Sequence, residues 1–429
     1  MAIKTRRFLS SRKSCSCSMP GVWRAVAYMD DVVVVFHSPR ACAHVARTMD
    51  INAQYRALAE GRKEERASVP LLCSQMEEKD SIFGGAERLT KCVRFALEKY
   101  QPKCLVLANS CVAGVIGDDV AAVGRELEAE YQVPILTVDC CGFLDGEYYQ
   151  GYFEITKQLL ERFVQPCAKE KGAVLLIGDN GGPWGHYARE VARLLAKMGA
   201  HVSGQFPGYV SFDKLPELAS AEACIVLGGR GQTHAGLGEL AQELSQRFNM
   251  KFLTDVYPVG WQQTRLWLEQ VGKMLGCQKQ AALVWQEEEA ALQQEIDRML
   301  PVTKNKKTVL CIGRIVKFFH PEAILETIKL LELNLTGIVI LDAYMGKDKD
   351  EMIALVRSLT DIPIYNAQEG EELLAEAELA LTTHELQNNT AKQIFLPLLP
   401  LVATAGELLL MHAVYHSLCS RLKGGLTYV

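Results

Sequence analysis

At 429 residues the chain exceeds what one hydrophobic core usually organises, so two or three domains are expected. Hydrophobic residues make up 49% and charged residues 23%, enough to bury large cores. A net charge of −5 and a pI near 6.1 give no electrostatic case for nucleic acid as a partner.

The N-terminal stretch MAIKTRRFLSSRK holds adjacent Arg6 and Arg7, a hint of twin-arginine export. The adjoining residues, SSRKSCSC, offer neither an apolar h-region nor a cleavage-like site, so a cytoplasmic location is expected. Thiols stay reduced there, and the fourteen cysteines read as buried thiols or metal ligands rather than disulfides. The most apolar segment, IFLPLLPLVATAGELLLM (394–411), carries two prolines and Glu407 and reads as buried core, so no membrane span is expected.

Along the chain, short apolar runs alternate with amphipathic segments. Strands are expected at VVVVF (32–36), CLVLAN (104–109), PILTVD (134–139), AVLLIG (173–178), CIVLG (224–228), TVLCIG (308–313) and GIVILDA (337–343). Helical patterns lie between them, such as AERLTKCVRFALEKY (86–100), YAREVARLLAKMG (187–199) and PEAILETIKLLELN (321–334). Near-continuous apolar strands separated by helices mark parallel sheets covered on both faces, so the fold class is α/β. Polar stretches at CAKEKG (167–172) and PVTKNKKT (301–308) each precede a new strand. They divide the chain into three Rossmann-like segments, 1–170, 171–305 and 306–429.

No G-x-x-x-x-G-K-[ST] loop is present, so the chain is not expected to hydrolyse ATP itself. IGDNGGPWGHYARE (177–190) and LGGRGQTHAG (227–236) place glycines at strand ends without dinucleotide-binding spacing. Trp184, Arg230 and His234, from these two turns, are the side chains expected to line a cofactor or substrate pocket between domains. Plain glycine-rich turns are the alternative.

The cysteines of interest stand at loop positions. Cys17 opens CSMPGVW, Cys42 follows VVVVF in HSPRAC, and Cys111 follows the strand run before VAGVIGDD. Strand C-terminal ends are where α/β folds expose reactive groups, so the three could converge. Cys140 and Cys141 also end a strand and stay ambiguous. Cys73, Cys92, Cys104, Cys167, Cys224, Cys277, Cys311 and Cys419 read as small buried hydrophobes. A zinc site from Cys15, Cys17, Cys42 and His44 is a rival, although its 24-residue gap is not a familiar zinc spacing.

Four motifs carry a resemblance. CSMPGVWRAVAYMDDVVVVFHSPRACAHVAR resembles the opening of the nitrogenase component 1 subunits and their relatives, with a cysteine, a Pro-Gly turn and an HG-x-x-G-C element. KDSIFGGAERL (79–89) resembles the family's FGG-x-x-x-L turn, SCVAGVIGDDV (110–120) its third cysteine motif, and VPILTVDCCGFLDGEYYQGY (133–152) its strand followed by G-F. All four fall in order across the first 150 residues, and the Cys17–Cys42 interval is slightly closer to the beta-type subunit. The resemblance implies that Cys17, Cys42 and Cys111 bind an iron–sulfur cluster (4Fe-4S or 8Fe-7S type) at an interface with a homologous subunit, in a homo- or hetero-oligomer. Three thiolates leave a cubane one ligand short, which also implies a second chain. Electrons would come from a separate ATP-dependent iron–sulfur reductase component.

The departures are as informative. HG-x-x-G-C reads HSPRAC here, with Ser38 and Ala41 replacing glycines and Arg40 adding a charge. ELAQELSQRFNM (239–250) holds no cysteine, and EYYQGYF (147–153) offers tyrosines where the family has a histidine, so those molybdenum–iron cofactor sites have no counterpart. Three functions stay open: a catalytic reductase subunit, a scaffold for metal-cofactor assembly, and a zinc-stabilised or metal-free α/β binding protein.

Overall fold

The computed structural model describes residues 4–5, 17–59, 68–140, 148–228, 232–313, 319–341, 347–387, 390–397, 399–422 and 424–429. The fold is α/β, built on three parallel sheets. In the first, Leu71–Cys73, Val32–His37, Cys104–Ser110 and Ile135–Cys140 lie side by side in that order. The second repeats this order with His201–Phe206, Glu170–Ile177, Ala221–Val226 and Lys251–Leu253. The third runs Ile364–Asn366, Asn334–Ile340, Lys307–Ile312, Leu379–Thr382, Lys392–Phe395 and Leu426–Tyr428. Taken in chain order, its strands stand 3-2-1-4-5-6, the dinucleotide-fold order. All seven expected strands are present. The strands that the sequence left unread are mostly short edge strands, such as Leu71–Cys73, or polar ones, such as His201–Phe206. Neither kind offers a long apolar run.

Helix placement follows sequence periodicity. Ala86–Tyr100 buries Leu89, Val93, Ala96 and Leu97, an i, i+4, i+7, i+8 stripe that packs on Val33, Val35, Leu105 and Leu107 of the first sheet. Among the described residues no strand pairing joins one large sheet to another, and we propose domain divisions near 170 and 305 on that basis. The first two sheets nonetheless share one core, in which Val34, Phe36 and Val106 belong to the same apolar cluster as Leu175, Ile177 and Val226. Among the described residues no helix is long and apolar enough to cross a membrane. The apolar 394–411 segment is a strand end, a loop and the first turns of Ala403–Cys419.

Two short-range constraints fix this arrangement. Helix Met19–Arg24 crosses helix Tyr148–Phe163 backbone to backbone, because both contribute glycine at the crossing. A Cβ on Gly21 would lie 1.9 Å from the Tyr148 carbonyl oxygen, and one on Gly151 would lie 2.3 Å from that of Ser18. Farther on, Glu407 of the C-terminal helix is only 6% exposed, beside a cavity lined by His320, Thr327 and Leu401. Thr327 Oγ1 donates to its Oε1 at 2.6 Å.

Substituting Gly21→Ala is expected to cost about 1–3 kcal/mol or more, since backbone must move to admit the methyl group. Thermal or denaturant unfolding would measure it, and an unchanged midpoint would refute the close crossing. Burial raises the Glu407 carboxyl to about 7, against the smaller opposing pull of the Thr327 hydrogen bond. The folded chain then keeps a proton that the unfolded chain sheds from its ordinary value of 4.5 upward. Stability that is full below that value is lost as pH rises to about 7. Glu407→Gln should remove this decline and raise stability above neutral pH by roughly 3 kcal/mol relative to the unsubstituted chain, as a pH series of unfolding curves would read.

Candidate functional site

The strand order of the first sheet reverses between Val32–His37 and Cys104–Ser110, whose connections leave toward opposite edges. Crevices at the carboxyl ends of strands, at such a switch point, are where α/β folds bind ligands. Cys42 lies on the connection after the first of these strands, near the start of helix Arg40–Ala59. Cys111 follows the second directly, as the first residue of helix Cys111–Ile116. That helix is capped by Ser110 Oγ, which accepts from Ala113 N at 3.3 Å. Cys17 immediately precedes Ser18 and the helix Met19–Arg24, and it packs on the same apolar cluster as Cys42. All three thiols are half-buried.

Burial pushes the Cys42 thiol up to about 11, and the charges of Cys17, Cys111 and Cys73 push it in the same direction. Among the described residues no three His, Cys, Asp or Glu side chains stand close enough together to chelate one metal ion. His44 is exposed on its helix, and Cys15, the other member of the zinc alternative, lies outside the described residues.

A polar chain holds these loops in place. Asp118, from the GDD element, accepts from Gly85 N through both oxygens at 3.0 Å. Its Oδ2 also lies 2.9 Å from Nε2 of fully buried His37. Burial lowers the His37 pKa despite that carboxylate, so the ring is neutral at neutral pH. A neutral ring that donates through Nε2 accepts at Nδ1, where Ser74 Oγ stands 2.9 Å away. Ser74 Oγ in turn accepts from Ser38 N at 3.2 Å. Gly85 leaves no room for a side chain, because a Cβ there would lie 2.9 Å from both Asp118 and His37. Three of the sequence motifs thus meet in one hydrogen-bonded chain.

The thiols expected to be core residues divide. Cys104, Cys224 and Cys311 are buried strand residues, and burial raises each to about 12. Cys167 and Cys419 are exposed, contrary to the expectation, because each stands at or just past a helix end on a polar segment. Cys73 is half-buried at the end of its strand, not in a core. The signal for it is present in the sequence, since LLC gives way to the polar SQ just ahead of the FGG turn. Cys140 is fully buried, and Cys141 lies outside the described residues.

In the second sheet the strand order reverses between the loops after Glu170–Ile177 and Ala221–Val226. Asp179, on the first of these loops, takes a two-pronged ion pair from Arg24, Nε to Oδ2 at 2.7 Å and Nη2 to Oδ1 at 2.9 Å. Tyr209 joins the pair, with its hydroxyl 2.6 Å from both Arg24 Nη2 and Asp179 Oδ1. Burial opposes both charges, yet Asp179 holds Arg24 well above its ordinary value, and Arg24 with Tyr209 holds Asp179 below its own. Trp184 sits edge-on to Tyr28 and Tyr209, at 6.0 Å from each, and walls this pair. Arg230 lies outside the described residues. His234 falls in helix Gln232–Phe248, and its side chain lies outside them too.

Comparison with known proteins gives a consistent picture. A family model for nitrogenase component 1 type oxidoreductases matches residues 17–384. The chain is 26% identical over 290 residues to the nitrogenase iron-molybdenum cofactor biosynthesis protein NifE of Clostridium pasteurianum, covering 66% of this chain and 59% of that one. It is 22% identical over 291 residues to the nitrogenase molybdenum-iron protein alpha chain of the same organism, covering 66% and 52%. The chain thus spans between half and three fifths of the length of these relatives. Among solved structures, nitrogenase Cp1 at pH 5 superposes with a TM-score of 0.64 at 16% identity, over 98% of this chain and 91% of that one, which is a likeness of fold. With a family match running from Cys17 to His384, this chain belongs to the nitrogenase component 1 type oxidoreductases.

Proposed function

We propose that the chain is a subunit of a nitrogenase-like reductase complex, in which Cys17, Cys42 and Cys111 hold an iron–sulfur cluster shared with a homologous subunit. The observation that carries this reading is the placement of Cys42 and Cys111 on the two connections that leave the switch point of the first sheet, with Cys17 packed on the same apolar cluster as Cys42. The donor set suits the group, since half-buried thiols deprotonate to the soft ligands that iron–sulfur clusters take. When bound, such a cluster supplies single-electron storage. The chain's own residues fix the thiol-bearing loops through the chain from Asp118 to Ser38 and limit solvent access by half-burial, both of which tune such sites. In this reading the group to be reduced sits at the second crevice, which Trp184, Arg230 and His234 border in sequence.

Electrons would arrive from an ATP-dependent iron–sulfur reductase docked near Cys111. A patch suited to docking is present there. Helix Asp80–Phe83 packs against helix Cys111–Ile116, and together they leave Ile82, Phe83 and Val115 exposed at 76%, 86% and 69%. Large apolar side chains so exposed on neighbouring elements favour a protein partner. The similarity to NifE favours a second reading, a scaffold on which a metal cofactor is assembled. Turnover of a substrate with reductase and ATP supports the first reading, and transfer of a bound metal cofactor to an apo acceptor supports the second.

Replacing Cys42 or Cys111 with alanine should remove most of the bound iron and the visible absorbance after anaerobic purification. Survival of both signals in both variants would rule out the assignment. Phe83→Ala should leave iron content unchanged and raise the reductase concentration needed for half-maximal reduction by about tenfold, the scale of an aromatic interface anchor. An unchanged reductase titration would remove the patch from the docking site.

A further inference from the structure

We propose that the seam where the parts built on the second and third sheets meet is a pH-sensitive clasp, closed only while Glu407 carries a proton and His186 lacks one at Nε2. The clasp uses none of the thiols discussed above and is independent of any bound cluster.

Two sets of hydrogen bonds cross the seam and bear on Glu407. In the first, Glu326 of helix Pro321–Leu330 accepts from Trp261 N at 2.6 Å and from Gln262 N at 3.0 Å. These are the first two amides of helix Trp261–Leu275, so a carboxylate of one part caps a helix of the other. Gly260 keeps the approach close, because a Cβ there would lie 2.8 Å from Glu326 Oε2. In the second set, Val402 N donates to His186 Nε2 at 3.2 Å and Ala403 N to the Pro258 carbonyl oxygen at 2.8 Å. Ala403 stands at a φ of 56°, a left-handed backbone that a residue with a Cβ rarely adopts. Such strain persists only where the surroundings hold it, and here both amides are held from across the seam.

Glu407 ties the two sets together. It lies one turn after Ala403 in helix Ala403–Cys419, and its Oε1 accepts from Thr327, the neighbour of Glu326. Among the described residues the charge that reaches it is that of Glu326, which repels, so ionisation buries an uncompensated charge. Burial accordingly keeps the proton on Glu407 up to about 7. An open seam would admit water from the adjoining cavity to the carboxylate, returning it towards its ordinary value of 4.5. The resistance to opening is then full below 4.5 and is lost as pH rises to about 7.

The other titratable groups on the surrounding elements are engaged or turned away. On Pro321–Leu330 and its cap, His320 Nδ1 lies 3.0 Å from Glu322 Oε1, and Lys329 acts on Glu326. On Gln278–Thr303, Arg193 and Lys197 bind Glu288, and Glu295 is bonded to His412 and Arg298. Helix Trp261–Leu275 turns Arg265, Glu269 and Lys273 to solvent. Lys392 donates to the Ser417 and Leu418 carbonyl oxygens at the far end of the Glu407 helix, and His416 is exposed. His186 gives the clasp its second sign. Its ring accepts at Nε2, and a doubly protonated imidazole has no lone pair to accept with, so acid releases Val402. The seam is therefore tightest between an acid limb set by His186 and an alkaline limb set by Glu407.

The test is amide hydrogen exchange on the full chain from about pH 5 to about pH 8, corrected for the chemical exchange rate at each pH. Peptides covering 258–264 and 399–406 report the seam, and strand Cys104–Ser110 of the first sheet reports global opening. The ratio of seam exchange in the unsubstituted chain to that in Glu407→Gln should rise about tenfold per pH unit up to about 7 and then level off. His186→Gln, whose side-chain oxygen still accepts from Val402 N without titrating, should lose the acid limb and keep the alkaline one. That variant keeps the proposal testable should Glu407→Gln fail to fold. A ratio to Glu407→Gln that stays constant with pH overturns the proposal, as does first-sheet exchange that changes in step with the seam. An acid limb that survives in His186→Gln overturns it too.

Discussion

Asp118 is the carboxylate on which the thiol edge depends. Its two oxygens hold Gly85 N and the buried His37 ring, and through His37 they reach Ser74 and then the Ser38 backbone. Each link satisfies a polar group that is buried or nearly so, and an unmet buried polar group costs about 1–3 kcal/mol. Loss of the carboxylate would strand His37 and the Gly85 amide together. The connections carrying Cys42, Cys73 and Cys111 would lose their common anchor while the sheet beneath them stayed intact. Asp118 is in this sense a positioning residue, joined to the thiol-bearing loops by a short series of hydrogen bonds.

The switch points of the first two sheets are bridged by a helix of six residues. Met19–Arg24 starts two positions after Cys17 and ends at Arg24, which grips Asp179 on the glycine-rich loop of the second sheet. The glycine crossing at Gly21 and Gly151 locks the middle of that helix to Tyr148–Phe163. Arg24 also lies over the rings of Tyr28 and Tyr209, at 5.2 Å and 5.7 Å, so aromatic faces as well as a carboxylate hold its charge. Partial burial makes such a pair costly to break from one side, because the remaining charge keeps its desolvation penalty. One short helix thus joins the segment that carries Cys17 to the Asp179 loop of the second sheet.

Much of this is legible in the sequence where pattern and physics coincide. Long valine, leucine and isoleucine runs name the central strands, and the spacing of Leu89, Val93 and Ala96 names a helix and its buried face. Strand ends followed by Cys42 and Cys111 point to the switch point without knowledge of the strand order. The hidden part is long-range. The Arg24–Asp179 pair joins residues 155 positions apart, and neither residue type nor spacing marks it. Cys73 reads as a core thiol in sequence because a three-residue strand looks like part of a loop, and only pairing with Val32–His37 shows that it ends at the common edge.

The electrostatics of the thiol edge limit what it can hold. Burial and neighbouring sulfurs both oppose a thiolate at Cys42, and the nearest carboxylate-bound group, His37, is neutral and adds no compensating charge. Arg40, the cation introduced in the HSPRAC motif, is exposed and bonded to Gln75 Oε1 at 3.0 Å. Without a metal the Cys42 thiol therefore keeps its proton near neutral pH, since burial and the neighbouring sulfurs both disfavour its thiolate. A multivalent metal core removes both penalties at once, replacing the protons and neutralising the sulfurs that it binds. Under the proposed function Cys42 would be stable as a thiol or as a metal ligand and poorly suited to a bare thiolate, a property that would favour retention of a bound cluster.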